Sequence, residues 1–180
     1  TQNAARAFKE CLDQGIRPLD MRLGLFTLAL EEEDWPEARA QVDALLAENP
    51  KSPEGLTASV ALAREQNEGE LPREKALELR ATAKRAILAD PTYVPALIQF
   101  ADLTFEHDLE VDGNVTSVID SIRFLAPDLG EGKVFEARLF AHQGALDEAL
   151  SMLDEMIKWS ASTGQELQYK EIRKELAESS

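Results

Sequence analysis

A four-rung ladder occurs five times in this 180-residue chain and constrains its fold more than any other feature. Its pattern is an apolar residue, alanine in three of the copies, an apolar residue four on, another three on, and five residues later a proline in three of the copies. The copies are Ala4, Phe8, Cys11, Ile16; Ala38, Val42, Leu45, Pro50; Leu79, Ala83, Ala86, Pro91; Val115, Ile119, Ile122, Pro127; and Ala149, Leu153, Met156, Ala161. Their first members lie 34, 41, 36 and 34 residues apart. Spacings of four and three place the rungs on one face of a helix. A period in this range marks a repeat array, in which each unit buries its apolar face only against its neighbours.

Composition agrees. Apolar residues make up 44% of the chain, which suits a folded protein. The chain is rich in Ala, Leu, Glu and Arg, all strong helix formers, and β-branched runs are few. The net charge is −15. A surface this acidic repels phosphate backbones, and the densest basic stretch, Lys84-Arg85, is embedded among alanines, so no nucleic-acid partner is expected. The longest apolar stretch, around Leu28-Ala29-Leu30, is far too short to insert into a membrane. No secretory signal is visible. The chain opens at Thr1 and enters a helical pattern at Asn3, so it is expected to be an excerpt of a longer protein.

Turn signals divide the chain into helices near 3–14, 19–31, 35–48, 54–66, 72–90, 94–106, 115–126 and 131–143, one that follows the 144–149 turn and reaches about 159, and a last one within 163–180. Asp34 is placed to cap a helix, with Pro36 in its first turn and Glu37 three residues on. Gly15 suits a left-handed helix end. Thr163 and Glu166 form a capping-box pair before the last helix. There Tyr169, Ile172 and Leu176 share one face and charged residues the other, as expected of a terminal cap.

No constellation carries convincing chemistry, and no enzyme is expected. Cys11 is alone, so no internal disulfide exists, and it occupies a rung of the ladder as a small apolar residue. His107 and His142 are too far apart for a local metal pair. Asp108, Glu110 and Asp112, followed by Gly113 and Val115, resemble the start of an EF-hand calcium loop. The twelfth position is Ile119, where a bidentate Glu is needed, so the candidate is weak and no metal or cofactor is assigned. Gly130-Glu131-Gly132-Lys133 lacks the first glycine and the final hydroxyl of a phosphate loop, and no strand precedes it.

Gly144-Ala145-Leu146-Asp147-Glu148-Ala149 resembles the Gly-Asp-Tyr-Glu-Glu-Ala turn of the tetratricopeptide repeat (TPR) family. Asp34-Trp35-Pro36-Glu37-Ala38 is a second version of that turn. Glu48-Asn49-Pro50 and Ala89-Asp90-Pro91 resemble the family's Asp-Pro ending. The resemblance covers nearly the whole chain. It departs where Leu97, Phe100, Ala101 and Thr104 stand at first-helix positions usually held by Trp, Leu, Gly and Tyr, in two lengthened loops, and in the last ladder, which lacks its proline. These departures leave related helical-hairpin repeats open.

The resemblance implies an all-α, right-handed superhelical solenoid of antiparallel helix hairpins. One continuous domain would comprise the second helix of a preceding or partial repeat at 1–17, repeats at 18–52, 53–93, 94–128 and 129–162, and a capping helix at 163–180. The first helices of such repeats line a concave groove. By position, Leu23, Thr27, Thr57, Ala61, Arg64, Ile98, Asp102, Phe105, Val134 and Arg138 would face it. Leu23, Ile98, Phe105 and Val134 would be apolar anchors, and Arg64, Asp102 and Arg138 would orient a protein or peptide partner. Family members that grip chaperone C-terminal tails use Lys and Asn on these helices. Here Leu23, Gly24, Thr27, Thr57, Ala58 and Ala61 stand at those positions, so no such clamp is expected. The function implied is a non-enzymatic interaction scaffold. The alternative is an appendage that packs on an enzymatic domain elsewhere in the same polypeptide. Self-association of the excerpt through its first helix is a further expectation.

Overall fold

The computed structural model describes residues 2–67, 71–160 and 164–178. They form ten helices and, among the described residues, no strand. These are α1 (Gln2–Asp13), α2 (Pro18–Glu31), α3 (Trp35–Glu48), α4 (Pro53–Glu65), α5 (Arg73–Ala89), α6 (Val94–Glu106), α7 (Gly113–Leu125), α8 (Gly130–His142), α9 (Leu146–Ser160) and α10 (Glu166–Glu178). Among the described residues no helix is long and apolar enough to cross a membrane. The chain divides into two compact units, 1–103 and 104–180, and the dividing point falls inside α6.

Four of the five ladder copies run along α3, α5, α7 and α9, whereas the first, on α1 and just past its end, leaves Ala4 and Ile16 exposed and Phe8 and Cys11 half-buried. On the other four helices the apolar rungs are all buried: Ala38, Val42 and Leu45; Leu79, Ala83 and Ala86; Val115, Ile119 and Ile122; Ala149, Leu153 and Met156. In the first unit α2 packs on α1, α3 and α4, and α4 packs on α3 and α5. Phe26, Ala29, Val42 and Leu62 form a core there, with Trp35 packed against it. In the second unit α8 packs on α7, α9 and α10. Val134, Leu153, Tyr169 and Ile172 belong to its core. Helices such as α4, covered by neighbours on several sides, bury more than a single stripe: Gly55, Leu56, Thr57, Ala58, Val60 and Leu62 are all buried. The same holds for α2, which also has several neighbours. Leu19 is exposed, and Leu25, Phe26 and Ala29 are the buried residues.

The turns repeat a small set of geometries. Four helices end on a residue with positive φ: Gly15 (70°), Glu33 (55°), Asp108 (47°) and Gly144 (84°). After each, a backbone N–H donates to the carbonyl five residues back: Ile16 to Cys11, Asp34 to Ala29, Leu109 to Thr104 and Ala145 to Phe140, at 2.8–2.9 Å. This is the Schellman closure, which satisfies carbonyls left over at a helix end. The two Pro endings also match. Asn49 and Asp90 have nearly the same backbone (φ −145°, ψ 101° and φ −144°, ψ 101°), and each side-chain oxygen accepts from the N–H two residues on, Lys51 at 3.0 Å and Thr92 at 2.8 Å.

Helix starts are capped by side chains. Asp34 Oδ1 accepts from the Glu37 N–H at 3.1 Å, and Ser52 Oγ from the Gly55 N–H at 3.1 Å. The Glu37 carboxylate meets Lys9 at 3.2 Å and Gln41 at 3.3 Å. Thr163 of the expected capping box, Ala161 of the last ladder and the 68–70 stretch lie outside the described residues.

Candidate interaction surface

The predicted surface residues fall on α2, α4, α6 and α8, the helices that alternate with the ladder helices. Leu23 is half-buried on α2, and Thr27 is exposed, its hydroxyl donating to the Leu23 carbonyl at 3.0 Å. On α4, Ala61 is half-buried against the core and Arg64 reaches across to α6, where its guanidinium meets Asp102 at 3.5 Å. Ile98 is half-buried on α6. Arg64, Asp102 and Ile98 thus place partly exposed charge and apolar surface on the facing helices of the first unit.

Two predicted residues lie deeper. Thr57 is 6% exposed, and its hydroxyl is buried without a hydrogen-bond partner among the described residues. Val134 is 8% exposed and belongs to the core shared by α8, α9 and α10. Neither offers much area to a partner.

In the second unit the structure brings Phe105 and Arg138 together. Both line a cleft of about 610 Å³. The Phe105 ring stacks on Phe135 with centroids 6.2 Å apart and planes 14° from parallel, which fixes one wall. Arg138 donates to Glu175 of α10 at 3.3 Å. His142, Glu175 and Leu176 also line the cleft, with Glu106, Asp108 and Ala141, and none of the six is among the residues predicted for the surface. Leu176 was legible only as a core-facing residue of a cap. Glu175 lies on that helix's charged face, which carries no signal of its own.

The weak calcium candidate takes another form. Asp108 is the left-handed residue that closes α6. Asp112 caps α7, accepting from the Asn114 and Val115 N–H groups at 2.9 and 3.3 Å and from the Asn114 amide at 2.7 Å. The acidic spacing is therefore a helix-end device and a helix-start device in close succession. Among the described residues no group of three or more His, Cys, Asp or Glu side chains is arranged to hold a metal ion.

Comparison with known proteins places the fold. No family model matches the chain, and no curated protein matches it. Among solved structures it is similar to a thermophilic TPR protein of Thermus thermophilus, with a TM-score of 0.67 and 18% identity. The match covers 93% of this chain and 88% of that one. The fold is therefore TPR-like, an all-α helical-repeat fold.

Proposed function

We propose that this chain is a non-enzymatic protein-interaction module that takes an extended peptide or an amphipathic helix on the face of its first helices. The observation that carries this reading is the cleft in which Phe105 and Arg138 meet. It joins an aromatic wall to a guanidinium, and aromatic and Arg side chains are enriched at the centre of binding hot spots. Leu23, Ile98 and Phe105 act as apolar anchors. Arg64, Asp102 and Arg138 orient the partner, and they do so by exchange. Both ion pairs are partly solvated, with side-chain exposures of 26% and 30% for Arg64–Asp102 and 19% and 62% for Arg138–Glu175. Such pairs are held by about 0–1 kcal/mol, so a partner's charge can displace one member at little cost.

Affinity capture from the native cell extract tests the reading, with wild type and an Ile98→Glu, Phe105→Glu double variant run side by side. Helicity and melting of the variant are matched to wild type first. A protein retained by wild type and lost by the folded variant is the expected result. Equal retention by both would sink the groove reading and favour the appendage alternative.

A further inference from the structure

The second unit carries another cleft, of about 360 Å³, which shares no lining residue with the one at Phe105. It lies where the end of α7 and the turn into α8 meet the last turns of α9 and the start of α10. One face of α9 lines it. Met152, Glu155, Met156 and Trp159 follow the i, i+3, i+4, i+7 spacing, and all four border the cleft. Met156 is buried, whereas Trp159 is 82% exposed. Leu129, at the turn before α8, adds a further exposed apolar side chain. An exposed Trp beside two flexible thioethers is an adaptable apolar surface, and surfaces of this kind mark binding sites.

Charge defines what fits. Arg123 is neutralised by Glu136 at 2.7 Å. Asp128 and Glu155 make no ion pair among the described residues, and Lys133 is the other cation in the lining. The lining is thus net acidic in a chain of net charge −15. Glu155 stands four residues before Trp159, so a cation held by its carboxylate lies within reach of the indole face.

We propose that this cleft docks a basic, apolar peptide segment of a partner protein. An Arg or Lys lays its alkyl stem along Met152 and Trp159 and places its charged head at Glu155. A neighbouring apolar side chain packs against Leu129 and Met156. The site stands independently of the groove, since none of its residues lies there.

The test uses the ¹⁵N-labelled chain with acetyl-Leu-Arg-Leu-Arg-amide, and acetyl-Leu-Glu-Leu-Glu-amide as its counterpart. The chain has two tryptophans, so the indole N–H of Trp159 is the reporter and that of Trp35, packed on the other unit's core, is the internal reference. The basic peptide is expected to shift Trp159 saturably at near-physiological salt, leaving Trp35 in place. The acidic peptide is expected to leave both unmoved. Glu155→Gln should weaken binding about three- to tenfold, and Glu74→Gln, an exposed position on α5, should leave it unchanged. A stationary Trp159 overturns the proposal, as do equal responses to both peptides or equal losses in the two variants. A Trp159 shift that follows protein concentration alone would put a second copy in the cleft and overturn it as well.

Discussion

Glu33 occupies, in the turn from α2 to α3, the backbone conformation that Gly144 occupies in the turn from α8 to α9. Both have positive φ, 55° and 84°, and both are followed by an N–H that donates five residues back. Only glycine takes this region without a penalty from its β-carbon. Glu33→Gly is therefore expected to stabilise the chain by about 0.5–1 kcal/mol, raising Tm by about 1–4 °C. Gly144→Ala is expected to destabilise it by about 1 kcal/mol. Thermal melts of both variants decide the matter, and a Glu33→Gly variant that melts no higher than wild type would refute the account.

Gly24 makes room for Phe8. A β-carbon at Gly24 would fall 2.7–3.0 Å from three atoms of the Phe8 ring. Gly24→Ala is expected to push α1 off α2 at a cost of about 1–3 kcal/mol, seen as lost amide protection confined to α1. The same substitution in a Phe8→Ala background is expected to cost much less, because the ring it collides with is gone. Equal costs in both backgrounds would mean that Phe8 is not what Gly24 accommodates.

Tyr169 gives stability an alkaline edge. Burial holds its phenol above the usual tyrosine range, and the nearby Glu131 carboxylate adds to the effect. A group whose folded pKa is raised contributes stability that is complete below its unfolded value, about 10, and is lost as pH rises through the folded value. Tm is expected to fall more steeply above about pH 10 in wild type than in Tyr169→Phe. At neutral pH the variant is expected to lose under about 1 kcal/mol, since the phenol donates to Gln165 only at a long 3.4 Å. Parallel alkaline curves would exclude Tyr169 as the source.

Arg173 anchors α10 to α9 through two bonds to Asp154, at 2.6 and 3.1 Å. The Arg173 hydrogen bonds are the main cause that holds the Asp154 carboxyl below the usual carboxylate range. Its contribution is present above the unfolded pKa and lost as pH falls through the folded one. The pair is solvent-exposed, so the effect is small and salt-sensitive. Asp154→Asn is expected to speed amide exchange in α10 at neutral pH and to remove the acid dependence of that exchange. An unchanged α10 would show that its apolar face alone holds it.

The helices were legible because their signals are local. The ladder rungs, the Asp34 cap and the two Pro endings depend on residues within one or two turns of each other, and the chain encodes them directly. The ends of α2 and α6 were legible, but the left-handed closures at Glu33 and Asp108 were not, because neither is glycine. The surrounding hydrogen bonds, not the residue type, hold their φ positive. Thr57 and Val134 match the groove pattern, yet α4 and α8 are covered on several sides, so helical position alone did not fix their exposure. The partnership of Arg138 with Glu175, 37 residues away, and the cleft beneath Trp159 arise from packing between helices. Helical spacing puts Met152, Met156 and Trp159 on one face, but nothing in the sequence says which helices that face or Arg138 meets.

Four inner rungs of the ladder are alanines with no exposed surface: Ala38, Ala83, Ala86 and Ala149. A methyl group fills each of these places, so there is no space for a longer side chain and no solvent to receive one. Phe124 and Leu88, among the bulkier side chains, are 84% and 75% exposed. A saturation-mutagenesis map of this protein would therefore run against side-chain size. Single-base changes that turn these alanines into valine or aspartate would be purged first, while large apolar residues at the surface would drift. Sequence drift would then preserve the smallest side chains of the ladder most faithfully.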